Sequence, residues 1–288
     1  MLMFSAVHLV YCDHNFIVYG HDASNDYQEG LRRLVSDGKV NFAVSTWHWL
    51  EMARDKDLSR GLSVAEFTDS LSAHWLFERR GIQRREVEHA FFDFIKIPHK
   101  KEAVIGSMAE AIADLVGTDI KTASRYPDSR AFVAHLQTLG DSHPLESNIR
   151  KNFEVQRQNA EAYRTGKYTQ EMLQRVDRMS IENLLPGKTP AGVVVGREER
   201  ANFLDSCGIA DFPGIAVEDA LTKDGWQTNR VLNDRAFRDS QHVIAIPYVD
   251  LFVTDDVVLS NAIGRIKSQF AFATAGVITR AEFDRLFM

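Results

Sequence analysis

Apolar and polar positions alternate in a readable rhythm at the two ends of the chain. His8-Leu9-Val10-Tyr11-Cys12 reads as a buried strand and Val40-Asn41-Phe42-Ala43-Val44 as a second. Between them Asp22-Ala23-Ser24-Asn25 is turn-like, and Tyr27, Leu31, Leu34 and Val35 then recur at helical spacing until Asp37-Gly38. Such a β-α-β unit takes a right-handed crossover, so the two strands are expected to be parallel. A helix carrying Trp47, Leu50, Glu51 and Met52 follows Ser45. Near the other end, Val243, Ile244, Ala245 and Ile246 form an apolar helix opened by Asp239 and stopped by Pro247. Leu251-Phe252-Val253 is then a short buried strand that ends in Thr254, Asp255 and Asp256.

The middle of the chain is read as mainly helical. Ser63-Val64-Ala65-Glu66 has the form of a capping box opening an amphipathic helix through Phe67, Leu71, Trp75 and Leu76. Helical patterns follow at about 84–97 and 102–116, although Phe92-Asp93-Phe94-Ile95-Lys96-Ile97 alternates with period two before Pro98 and reads equally as a third strand. Helices are expected at 128–140 and 145–180, the second studded with Arg150, Lys151, Arg157, Arg164, Lys167, Arg175 and Arg178. Leu184-Leu185-Pro186-Gly187-Lys188-Thr189-Pro190 and Phe212-Pro213-Gly214 punctuate the rest as loops.

Composition bounds the class without naming it. The 288 residues are 44% hydrophobic and 26% charged, as in a globular protein of one large or two small domains. A net charge of -6 excludes a surface that is basic all over, yet leaves room for local basic patches that contact phosphates. Arg79-Arg80, Arg84-Arg85 and Lys96 with Lys100-Lys101 form one such candidate, and the 145–180 helix another; a solvated charged face explains either equally well. Cys12 and Cys207 are too few for a disulfide framework or a cysteine-rich zinc site. The first residues carry no basic leader, no apolar run approaches membrane-spanning length, and a cytoplasmic location is the expectation.

The acids carry the chemistry. Asp13 follows the first strand, Glu51 stands on the helix after the second, and Asp239 and Asp256 bracket the late helix and strand. In a parallel sheet the strand ends face one crevice, where ligands usually bind. These pieces, D-x-N at Asp13 and Asn15, S-x5-E at Ser45 and Glu51, D-x2-H at Asp239 and His242, and F-V-T-x-D ending at Thr254 and Asp256, resemble the PIN-domain nucleases in that family's order. Phe270-Ala271-Phe272-Ala273-Thr274 and the segment Ile278-Thr279-Arg280-Ala281-Glu282-Phe283 are similar to the family's last strand and closing helix. The resemblance covers roughly residues 4–60 and 230–288.

It implies a three-layer α/β/α sandwich with a mostly parallel central sheet, formed by residues 1–118 and 229–288 and interrupted by a mainly helical insertion at 119–228. It also implies a metal-dependent nuclease, most often an endoribonuclease, with toxin or antiphage effectors among its relatives. Asp13, Glu51, Asp239 and Asp256 are then the catalytic and metal-binding acids, with Asn15, Ser45, Thr254, Asp255 and Asp250 supporting them. Converging carboxylates repel one another unless a cation neutralises them, and hard oxygen ligands select Mg2+ or Mn2+. Such an ion activates water and stabilises in-line attack on a phosphodiester. The expected partner is nucleic acid, RNA before DNA, with room on the insertion for an inhibitor or activator protein and for self-association, and none for a membrane.

Ordinary roles compete with each assignment. Asp after a strand is commonly a cap or turn residue, and Asp239 stands where an N-cap belongs. His14 and His242 lack a histidine partner at metal spacing and are read as packing or hydrogen-bonding groups, with His242 also a candidate substrate contact. Trp47, Trp49 and Trp75 suit a core, or an exposed base-stacking surface. A catalytically inactive PIN-like RNA-binding or scaffold subunit is the main functional alternative. A haloacid-dehalogenase-type phosphatase would need an acid and a threonine where Asn15 and Ile17 stand.

Overall fold

In the computed structural model, the residues described are 7–71, 73–139, 155, 157–228, 241–273 and 275–288. Six strands build one sheet: β1 (His8–Cys12), β2 (Val40–Ser45), β3 (His74–Leu76), β4 (Ile105–Gly106), β5 (Leu251–Val253) and β6 (Gly276–Ile278). Their order is β4-β3-β2-β1-β5-β6. All neighbours are parallel except β3 and β4, which run antiparallel. β1 lies central and is buried from Val10 to Cys12, as its unbroken apolar run requires.

The helices follow from the crossover rule. α1 (His14–Asp22) and α2 (Asn25–Ser36) join β1 to β2, and α3 (Thr46–Ala53) and α4 (Leu58–Ser70) join β2 to β3. The chain then returns to lay β5 on the other side of β1 and moves outward through α12 (Val257–Lys267) to β6. Right-handed connections that travel in opposite directions leave their helices on opposite faces, an arrangement compatible with a three-layer sandwich. The closing helix α13 (Arg280–Phe287) inserts Phe283 against Phe16 and Phe42.

Several elements differ from the sequence expectation. The third strand is His74–Leu76, so Trp75 and Leu76 end no helix, and 92–97 lies at the helical end of α5 (Arg79–Phe94). Alternation over 92–97 failed as a strand signal because Val87 and Phe91, four apart on α5, pack with Phe92 against the 181–215 region. The capping box at Ser63 does not form either: α4 starts earlier, capped by Asp57, whose carboxylate accepts from Ser59 and Arg60 N–H groups. A capping box does form at Ser107 and Glu110, opening α6 (Met108–Val116).

The long charged helix is broken. Residues 157–164 are helical, Gly166 takes φ 68°, and a new helix, α9 (Gln170–Glu182), starts behind Thr169. A left-handed residue of that kind ends a helix. Arg150 and Lys151 lie outside the described residues. The segment Val243–Tyr248 is a 3-10 helix with Pro247 inside it. The last strand is Gly276–Ile278 rather than 270–274, where Phe270 and Phe272 stack on each other in a turn; Thr274 lies outside the described residues.

Two cores hold the molecule. The larger takes in the sheet, α1–α4 and α6, and also Ala123, Phe132, Val133 and Leu136 of α7 (Ile120–Ala123) and α8 (Ser129–Leu139). Trp49 stacks on Trp75 at 3.8 Å within it, so these indoles are core rather than surface. The smaller joins α5 to Ile181, Leu185 and Val195, to Phe203 and Leu204 of α10 (Arg197–Ser206), and to Phe212 and Ile215 at the start of α11 (Pro213–Gln227). Among the described residues no helix is long and apolar enough to cross a membrane.

Candidate functional site

β1 and β5 are neighbours whose chains run on in opposite directions across the sheet, β1 to β2 and β5 to β6, and the C-terminal ends of strands at such a switch point are where α/β sheets commonly form a ligand crevice. Asp13 stands there. Its Oδ1 accepts the Phe16 N–H at 2.8 Å and so caps α1, while Oδ2 accepts the Thr254 hydroxyl at 2.7 Å from the end of β5. The side chain is buried, and burial raises its pKa against the opposing pull of those two hydrogen bonds. Among the described residues Asp13 has no lysine or arginine ion pair.

Glu51 reaches the same crevice from α3. Its Oε2 lies 3.2 Å from His242 Nε2 and 3.7 Å from His14 Nδ1. Burial alone would raise its pKa, but the surrounding histidines, His242 first, hold it down at about 2. Burial lowers the pKa of His14, and that of His48 to about 3. His48 is wholly buried: Nε2 donates to the Cys12 carbonyl at 2.9 Å and Nδ1 accepts the Ser45 N–H at 3.1 Å. These bonds fix its tautomer and make it a brace between β1 and α3.

The remaining expected residues divide by position. Thr254 also accepts the Asp256 N–H at 3.1 Å, so Asp13, Thr254 and Asp256 form one run, and Asp256 Oδ1 caps α12 through Val258 and Leu259. Ser45 is buried and accepts from Tyr11. Asn15 is exposed on the first turn of α1. Asp255 turns away to Arg280, accepting its backbone N–H at 2.9 Å and its Nε at 3.3 Å. Asp250 accepts the Leu9 N–H at 2.8 Å at the start of β5, the opposite end of the sheet from the crevice. Asp239 lies outside the described residues.

Sequence reading missed Tyr11 and His48. Tyr11 sits inside an apolar strand and His48 inside an apolar helix, so only their three-dimensional partners mark them as polar connectors. The first candidate basic patch is partly neutralised: Arg79 pairs with Glu218, Arg85 with Asp114 and Glu102, Arg84 more loosely with Asp114, and Lys101 with Asp93.

Among the described residues, no three His, Cys, Asp or Glu side chains form a group able to hold a metal ion. The donor chemistry at Asp13 nevertheless suits a hard cation: among the described residues this buried carboxylate has no lysine or arginine ion pair and only the pull of His242 beside its hydrogen bonds, and a cation offsets such a charge. Comparison of the chain with protein-family models, with curated proteins and with solved structures found no match.

Proposed function

We propose that this chain is a metal-dependent nuclease that hydrolyses phosphodiester bonds, with RNA its first-choice substrate and endonucleolytic cutting its mode. The observation that carries the reading is the hydrogen bond of the buried Asp13 carboxylate to Thr254, which also holds the Asp256 backbone N–H, with Glu51 near enough to act on the Asp13 charge, at the point where a mostly parallel sheet switches direction. These residues come from the motifs that resemble the PIN-domain nucleases, and the mixed sheet with helices on both faces accords with the sandwich that resemblance implies.

In this reading Asp13, Glu51, Asp256 and Asp239 would hold a Mg2+ or Mn2+, which would supply an activated water and stabilisation of charge on the attacked phosphate. Asp13 is held by the Phe16 N–H and Thr254, which leave lone pairs on both oxygens. Glu51 is held as an anion beside His242. A role as a toxin or antiphage effector in the cytoplasm belongs to the same proposal.

The test is incubation of the purified protein with total RNA, single-stranded DNA and duplex DNA in Mn2+, Mg2+ or EDTA, with Asp13→Asn alongside. We expect discrete metal-dependent cuts in RNA that the variant loses while keeping its fold. Equal cutting by Asp13→Asn would remove the site from consideration, and nucleic-acid binding without cutting would favour a scaffold or RNA-binding subunit. Release of phosphate from a small monoester without any cutting would favour the phosphatase.

A further inference from the structure

Four polar groups from four parts of the chain form one hydrogen-bonded line that ends on Glu51. Tyr11 Oη lies 2.9 Å from Ser45 Oγ and 2.6 Å from His242 Nδ1, and His242 Nε2 lies 3.2 Å from Glu51 Oε2. Ser45, Tyr11 and His242 are almost wholly buried, while Glu51 is the member at the crevice. A carboxylate can only accept, so Nε2 carries its proton toward Glu51. The orientation of the ring is then set by what Nδ1 meets, which is the Tyr11 hydroxyl. Tyr11 is itself fixed, because its ring stacks on Phe252 at 5.1 Å in the middle of the sheet.

We propose that Tyr11 is a positioning residue that acts through His242 to fix the Glu51 carboxylate at the crevice. The inference rests on the nuclease reading. In that reading Glu51 is useful only where it points, and among the described residues His242 Nε2 is the donor within hydrogen-bond reach of its carboxylate, His14 Nδ1 standing farther off at 3.7 Å. A histidine pinned at both nitrogens supplies the aim: the rigid sheet at one end, the carboxylate at the other. Outer partners that orient ligating groups in this way typically contribute about 10- to 100-fold in metal affinity or activity.

A purely structural role for the buried hydroxyl is the competing account, and it makes different numbers. Tyr11→Phe keeps the ring on Phe252 and removes only the link to His242 and Ser45. Thr68→Val, the structural control, removes a buried hydroxyl that donates to the Val64 carbonyl within α4, outside this line. We expect Tyr11→Phe to lower kcat for RNA cleavage about 10- to 100-fold with KM changed less than about threefold, and to weaken Mn2+ binding, measured by calorimetry without substrate, about tenfold. Thr68→Val should lower the melting temperature by a similar amount while holding kcat and Mn2+ affinity near the wild type. Because both act through one contact, adding Tyr11→Phe to His242→Ala should cost little beyond His242→Ala alone. His242→Gln keeps a donor toward Glu51 without a ring for Tyr11 to fix, and reads the same link if Tyr11→Phe folds poorly; we expect its kcat to fall with KM held. The proposal is overturned if Tyr11→Phe or His242→Gln retains wild-type kcat and Mn2+ affinity, or if the Tyr11 and His242 losses simply add. Wild-type protein that neither cuts nucleic acid nor binds Mn2+ would bring down the nuclease reading itself, and this inference with it.

Discussion

Thr254 donates its hydroxyl proton to Asp13 Oδ2 at 2.7 Å and accepts the Asp256 N–H at 3.1 Å, so one buried oxygen joins the ends of β1 and β5 to the start of α12. Valine has nearly the same shape and neither function. Thr254→Val leaves a buried carboxylate and a backbone N–H each short of a partner, which costs about 1–3 kcal/mol apiece at most. The expected outcome is a loss of about 2–4 kcal/mol in urea unfolding, together with a further upward shift of the Asp13 pKa. Thr254→Ser keeps both bonds, and should recover most of that loss; an equal loss in the serine variant would show that the methyl packing matters and the bonds do not.

Gly61 carries α4 past the end of α3 at a distance that admits no side chain. A Cβ there would stand 2.1 Å from the Met52 carbonyl oxygen, which is backbone and cannot swing aside. Gly61→Ala therefore has to separate the two helices, and overpacking of this kind costs about 1–3 kcal/mol or more. Met52 follows Glu51, so the displacement should also reach the crevice. We expect a lowered melting temperature and, in the nuclease reading, a lowered kcat. Full stability in the variant would mean that the α3–α4 contact is looser than the structure has it.

Arg280 lies beside the proposed site without being part of it. Its guanidinium sits 3.7 Å from the centre of the half-exposed Tyr19 ring and pairs with Asp255, the residue between Thr254 and Asp256. A guanidinium plane is a surface on which an unpaired base can stack, and its charge suits a phosphate. Arg280→Ala should weaken binding of a single-stranded RNA, measured in EDTA by fluorescence anisotropy, by about 1–2 kcal/mol, or roughly tenfold. Duplex DNA should be less affected. An unchanged affinity for single strands would assign the arginine to holding α13 in place and nothing more.

The parts legible in the sequence are those whose signal is local. β1 and β2 were visible as apolar runs bounded by polar turns, and α2 as a helical stripe closing at Gly38, because one buried face imposes one period. β3 was not, since a strand of His74–Leu76 is too short for any period and its residues continued the stripe of α4 by accident. The last strand was misplaced by the aromatic alternation at 270–272, while the residues that pair with Leu251–Val253 are Gly276, Val277 and Ile278. At the candidate site, Asp13, Glu51, Thr254 and Asp256 stood out by the order of their short motifs along the chain, since a single acid after a strand is as often a cap. Tyr11 and His48 did not, because a buried hydrogen bond between residues far apart leaves no trace in the spacing of either.

Glu86 gives the fold a pH dependence away from the crevice. Half-buried between α5, α11 and Tyr248, it accepts the Gly214 N–H with both oxygens, at 2.9 and 3.0 Å, and the Tyr248 hydroxyl as well. It thereby caps α11, whose own N-cap residue Phe212 offers no side chain for the purpose. Burial outweighs those bonds and raises its pKa from 4.5 to about 7. The folded protein then holds this proton more tightly than the unfolded chain. Stability is full below pH 4.5 as far as this group is concerned, falls as pH rises through the interval, and is lost by up to about 3 kcal/mol above pH 7. Glutamine keeps an acceptor for Gly214 and never ionises. Glu86→Gln should therefore be more stable than the wild type at pH 8 and close to it at pH 5, in paired urea titrations. If the difference were the same at both pH values, Glu86 would be ionised in the folded protein throughout, and the hydrogen bonds, not burial, would govern it.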